Sequence, residues 1–175
     1  LKPGQESLEV NLTATSNGIT ITKNYQFFKG KYQGSLKTTV TNHSSQDWTG
    51  QWFQQITRQN VPSSTHHIRS YDGAAISSHK TPYEKISFSS MDKAPLHQSI
   101  AGGWVAMQQP YFVSAWVPHS APTYDYYSHV TTPQNGGANL YTIGYVSQPL
   151  TVAAGKSNQQ TSQLYIGPEI AKDLA

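Results

Sequence analysis

Apolar and polar residues alternate from the first stretch of the chain. Leu8, Val10 and Leu12 are interleaved with Glu9, Asn11 and Thr13, and Ile19, Ile21, Tyr25 and Phe27 continue the pattern after Ser16-Asn17-Gly18. Period-two alternation marks strands with one buried face. Asn-Gly tolerates the positive φ of a tight hairpin turn, so these two runs are predicted to pair antiparallel. Phe28-Lys29-Gly30-Lys31 turns the chain again. Tyr32, Leu36 and Val40 then share a face, with Lys37, Thr39 and Thr41 toward water. Trp48, Trp52 and Ile56 predict a fourth strand. Together these give a meander of long strands with one dry and one wet face. About ten residues at about 3.3 Å each make strands of roughly 33 Å, which implies a large, strongly twisted sheet.

The stretch from Gly102 to Pro118 reads differently. It contains no charge, and from Tyr111 onward both faces are largely apolar. A strand covered on both sides is the reading, at the centre of a layered sheet. The run is too short, and too interrupted at Pro110, for a membrane span. Pro110 cannot donate to a ladder and is placed in a connection. Short strands follow at Tyr83–Ser89, Leu140–Val146, Pro149–Ala153 and Gln163–Ile166. Residues 58–70 and 77–82 read as loops, and 91–98 as a polar connection. Tyr124, Tyr126 and Tyr127 read as an exposed loop or irregular strand, and they are the candidate partner-contact residues, since tyrosine-rich loops make contact surfaces at low entropic cost. At the end, Gly167-Pro168-Glu169 starts a helix, with proline at the first position and a carboxylate at the positive end.

Composition narrows the class. The 175 residues suffice for one domain with a real core. Only 12% are charged, and thirteen glycines and ten prolines suit many strands joined by turns. With no cysteine there is neither a disulfide framework nor thiol chemistry. A net charge of +3, thinly spread, makes no nucleic-acid footprint.

Candidate chemistry is thin. Among the seven histidines, His66-His67 is the one close pair, and neighbours on an extended chain point apart. No metal site is therefore expected. Nearly all of the nine acids sit beside turns or at the predicted helix start, and no pair stands out for acid–base work. No serine lies in a Gly-x-Ser-x-Gly elbow. Gly155-Lys156-Ser157 lacks the upstream glycine of a phosphate loop. The four tryptophans could form a sugar platform, but their spacing favours the core. Asn11-Leu12-Thr13 and Asn42-His43-Ser44 are formal glycosylation sequons. Catalytic residues and cofactors are expected to be absent.

One motif is long enough to be specific. Gly102, Gly103, Trp104, Met107, Tyr111, Phe112, Ala115, Trp116 and Pro118 resemble the signature of the periplasmic domain of the YidC family of bacterial membrane-protein insertases. Tyr165-Ile166-Gly167-Pro168-Glu169 is a second match, and Tyr71-Asp72-Gly73-Ala74-Ala75 with Tyr83-Glu84-Lys85-Ile86-x-Phe88 a weaker third. The resemblance implies an all-β supersandwich, like that of sugar-binding proteins and mutarotases, spanning residues 1–167 and lacking its first strands. Residues 168–175 would begin a short C-terminal helix leading to a membrane core. The implied role is a non-catalytic scaffold on the periplasmic side of the inner membrane. Its partners would be the Sec translocon with its accessory subunits, and nascent membrane proteins. Contact with the membrane would come only through flanking helices. A carbohydrate-binding or mutarotase-like module is the alternative, and a binder of extended peptides at a sheet edge a third reading.

Overall fold

A computed structural model describes residues 4–60, 71–118 and 123–169. The fold is an all-β sandwich of antiparallel strands. The larger layer has eight strands in the order β1 (Ser7–Ser16), β2 (Ile19–Phe28), β3 (Gln33–Asn42), β14 (Ser157–Pro168), β10 (Phe112–Pro118), β9 (Val105–Gln109), β6 (Gly73–Ile76) and β7 (Glu84–Ile86). The smaller layer has four, in the order β5 (Phe53–Gln59), β12 (Leu140–Ser147), β11 (Thr123–Thr131) and β8 (His97–Ala101). β4 (Trp48–Gly50) and β13 (Leu150–Val152) form a separate pair, and α1 covers Phe88–Lys93.

The hairpin between β1 and β2 forms as its sequence predicts: Ser16 faces Ile19 across Asn17 and Gly18, both at positive φ. β3 completes a three-stranded meander, and its Leu36 and Val40 are buried. The fourth strand does not join. β3's other neighbour is β14, the last strand in sequence. The predicted strand over residues 48–56 is instead broken at Gly50. A Cβ there would lie 2.1 Å from the Trp48 ring, so only glycine lets the indole fold over the backbone. The chain then crosses to the smaller layer, where Trp52 N–H donates to Ser147 Oγ at 2.9 Å and β5 pairs with β12. Trp48 and Trp52 are half-buried rather than core residues.

The core between the layers holds Leu36, Ile76, Val105, Trp116, Ile143 and Tyr145. It does not extend under β1. Leu8, Val10 and Leu12 alternate as predicted, yet all three remain exposed, because the four-stranded layer does not reach that flank. α1 replaces part of an expected polar connection. Ser87 caps it by accepting a hydrogen bond from Ser90 N–H at 3.1 Å, and Phe88 and Met91, three apart, are buried. At the C-terminal end, β14 runs through Pro168, so the predicted helix start at Pro168 is strand. The rest of that prediction, 170–175, lies outside the described residues.

Asn42 closes β3 and is fully buried. Its Nδ2 donates to the Gln46 and Val152 carbonyls at 2.7 and 2.9 Å, and its Oδ1 accepts from Ser44 N–H and Oγ at 2.9 and 2.7 Å. The sequon there is inaccessible in the folded protein.

Candidate functional site

The outer face of the eight-stranded layer, away from the smaller sheet, carries a groove of about 760 Å³. Its floor is set by register. Ala115 of β10 sits between Ala106 of β9 and Tyr165 of β14. One step along, Val113 faces Gln108, and Val117 faces Gln163. Two adjacent alanines make the floor low, and large residues stand around it. Trp104 and Tyr83 form one wall, their rings 6.1 Å apart, and Tyr165 forms the other.

A polar chain runs along one side of this groove. Gln108 is buried, and its amide is engaged at both ends: Tyr83 Oη donates to Oε1 at 2.6 Å, and Nε2 donates to Glu169 Oε1 at 2.9 Å. From beneath, Arg58 Nη1 donates to the Gln108 carbonyl at 2.9 Å and forms a two-point ion pair with Asp72. Lys85 Nζ lies 4.8 Å from the Tyr71 ring and 5.8 Å from the Tyr83 ring. Burial, with Tyr83 nearby, pushes the Tyr71 phenol from 10.0 up to about 12, and burial raises Tyr83 as well. Among the described lining residues Glu169 is the one carboxylate and none is a histidine. Among the described residues no group of three or more His, Cys, Asp or Glu could hold a metal ion. Aromatic walls, an apolar floor and a few polar groups suit binding.

The signature residues are split between three places. Trp116 lies in the core between the layers. Trp104 precedes β9 and faces the groove, half-buried, so the two tryptophans do not share one dry centre. Gly103, at φ +81, passes so close to Ser77 that a Cβ would fall 2.1 Å from its carbonyl oxygen. Met107 and Ala115 are buried, as is Pro118. Pro110 and Tyr111 form the two-residue turn between β9 and β10, and Tyr111 and Phe112 are exposed. Gly167 makes room for the Tyr32 ring, which a Cβ would meet at 2.5 Å.

Two of the tyrosines expected at a contact surface are not there. Tyr124 and Tyr126 are 2% and 0% exposed. β11 is a regular inner strand of the smaller layer, and alternation turns both rings onto Tyr145, with centroids 5.0 and 5.9 Å away. Their hydroxyls are satisfied inside: Gln160 Nε2 donates to Tyr124 Oη at 2.8 Å, and Tyr126 Oη donates to the Gly102 carbonyl at 2.7 Å. Tyr127, on the opposite face, is half-buried and donates to Gln55 Oε1 at 2.9 Å. The spacing Tyr124-x-Tyr126-x-Ser128 carried the signal for inward alternation. Gln108 and the Ala106–Ala115 floor gave no comparable signal, because their importance depends on cross-strand register.

The YidC periplasmic domain model matches residues 1–175, the whole chain. The chain belongs to the YidC periplasmic domain family. Membrane protein insertases YidC of Coxiella burnetii (strain Dugway 5J108-111) and Legionella pneumophila (strain Corby) are 46% and 40% identical to it over 99% of the chain. The chain spans 31% of the length of each of these relatives. Among solved structures it resembles the galactose mutarotase related enzyme from Lactobacillus acidophilus, with a TM-score of 0.59 at 10% identity, covering 92% of this chain and 68% of that one. A galactose mutarotase-like protein from Lactobacillus casei matches with a TM-score of 0.59 at 10% identity, over 95% of this chain and 71% of that one. At such identity the likeness is one of fold. The supersandwich that the YidC signature implied is thus the architecture of this chain. No helix among the described residues is long and apolar enough to cross a membrane.

Proposed function

We propose that this domain is a non-catalytic interaction and scaffold module of a membrane-protein insertase, working on the periplasmic side of the inner membrane. It assists insertion and folding beside the Sec translocon by contacting translocon accessory subunits and emerging substrates. The observation that carries this reading is the groove on the outer face, built by the signature strands β9, β10 and β14. Its apolar floor and aromatic walls fit side chains of a partner segment. We read the chain after Pro168 as the link toward the membrane core.

The test fills the groove from its floor. Ala115→Phe in the full-length insertase, with folding checked by circular dichroism, is expected to lower membrane insertion of a substrate protein while the insertase level stays normal. Unchanged insertion with a filled groove would remove the groove from the account. The same aromatic walls could stack on a sugar, the alternative role. Titration with galactose reads that out: measurable binding heat would favour the carbohydrate module.

A further inference from the structure

One end of the eight-stranded layer carries exposed apolar side chains, of which only Tyr32 also touches a groove wall, its ring 6.2 Å from Tyr165. Tyr111 is 61% exposed, Phe112 52%, Ile166 56% and Tyr32 52%, and Phe28 is also exposed. Backbone contacts place them together at one end of the layer, which forms a rim. Ile166 N–H donates to the Tyr32 carbonyl at 2.9 Å, Phe112 pairs with Pro168 across β10 and β14, and Glu169 N–H donates to the Tyr111 carbonyl at 2.9 Å. Lys31 N–H donates to the Phe28 carbonyl at 3.2 Å in the turn before Tyr32.

Tyr111 sits at φ +73, a conformation that costs a side-chain-bearing residue about 1–2 kcal/mol. Glycine would occupy that turn position with less strain, and the residue is 61% exposed, so its place there is not explained by stability. Contiguous exposed apolar patches mark interaction surfaces. The chemistry of this one favours a bilayer interface: amphipathic tyrosine with phenylalanine, and lysines beside them. Lys29 pairs with Glu6 at 3.4 Å, whereas Lys31 forms no ion pair among the described residues. Glu169, the acid at the groove end of the rim, is hydrogen-bonded to Gln108. β14 delivers the chain out of the sheet at this same rim, and relatives named membrane insertases are about three times as long as this chain.

We propose that this rim, centred on Tyr111, Phe112 and Tyr32, rests on the headgroup region of the phospholipid bilayer and sets the standing orientation of the domain. Direct lipid contact by the domain itself goes beyond a membrane link made only through flanking helices. It also does not depend on what the groove binds.

The chain has no cysteine, so single cysteines report cleanly. Tyr111→Cys, Phe112→Cys and Tyr32→Cys would be labelled with a polarity-sensitive dye in an otherwise cysteine-free, full-length insertase. The host vesicles are phosphatidylethanolamine with phosphatidylglycerol. Ser45→Cys, beyond the far end of β3, is the control. The expected result is blue-shifted emission at the three rim positions, quenched by headgroup-level spin-labelled lipid, with neither effect at Ser45→Cys. Rim dyes as water-exposed as the control would overturn the proposal. So would blue-shifted rim dyes that spin-labelled lipid leaves bright, because a protein surface would then cover the rim. A double Tyr111→Ser, Phe112→Ser variant, altered only at exposed positions, should fold normally and release a label at Tyr32→Cys back to water.

Discussion

The Gln108 side chain donates to the Glu169 carboxylate across 2.9 Å, tying the end of β9 to the last described residue of the chain. The same amide accepts from Tyr83, and its backbone carbonyl receives Arg58. One buried glutamine thus joins β5, the segment before β7, and the exit of β14. Replacing it with alanine removes two side-chain hydrogen bonds whose partners reach solvent and can rehydrate. Gln108→Ala is therefore expected to cost about 1–2 kcal/mol, seen as a lower urea midpoint with an unchanged slope. It should also loosen Glu169, read as faster amide hydrogen exchange at Glu169 than in the parent.

The signature's two glycines should not be equivalent. Both have positive φ, at +74 for Gly102 and +81 for Gly103. A Cβ on Gly102 would meet only His79 Nε2, at 3.5 Å, whereas one on Gly103 would collide with backbone at Ser77. Gly102→Ala should cost about 1–2 kcal/mol from conformation alone. Gly103→Ala adds displacement of the Ser77 strand end and should exceed about 3 kcal/mol. Chemical denaturation of the two variants compares them directly, and equal losses would count against the packing described around Ser77.

The buried tyrosines set the alkaline limit of the fold. Burial pushes Tyr126 and Tyr145 upward from 10.0, and the neighbouring Tyr124 acts in the same direction on both. Tyr71 is raised to about 12. A phenol whose folded value is raised holds its proton longer in the native state than in the unfolded chain. Its contribution to stability is therefore complete below about pH 10 and is lost as pH climbs from there through the folded values. Tyrosinate absorbance and circular dichroism followed together should show that the phenolates of Tyr126 and Tyr145 appear only as the sheet signal disappears. Tyr126→Phe should make one phenolate fewer appear in that cooperative step.

Much of the fold was legible because strands advertise themselves by period. The Asn17-Gly18 hairpin and the buried face of β3 follow from alternation, and the largely buried run from Val113 in β10 follows from its absence. Where a strand changes layer, periodicity is silent. Trp48, Trp52 and Ile56 keep a regular spacing across Gly50, although the chain there leaves one sheet for another. Burial was misjudged in both directions for a related reason. Leu8, Val10 and Leu12 have a core pattern but no layer opposite them among the described residues, while Tyr124 and Tyr126 have polar tips but find Gln160 and Gly102 inside. The motif lies on strands that border the groove, yet the groove's floor and polar chain exist only through the pairing of β9, β10 and β14.

The most direct test of an interaction module is site-specific photocrosslinking in the full-length insertase during insertion of a substrate protein. A photoreactive residue in place of Gln163, which is exposed in the groove wall, should capture a translocon accessory subunit or the nascent chain, and the same residue in place of Ser45 should capture neither. Capture at Ser45 alone, or no capture at Gln163 while insertion proceeds normally, would contradict the account.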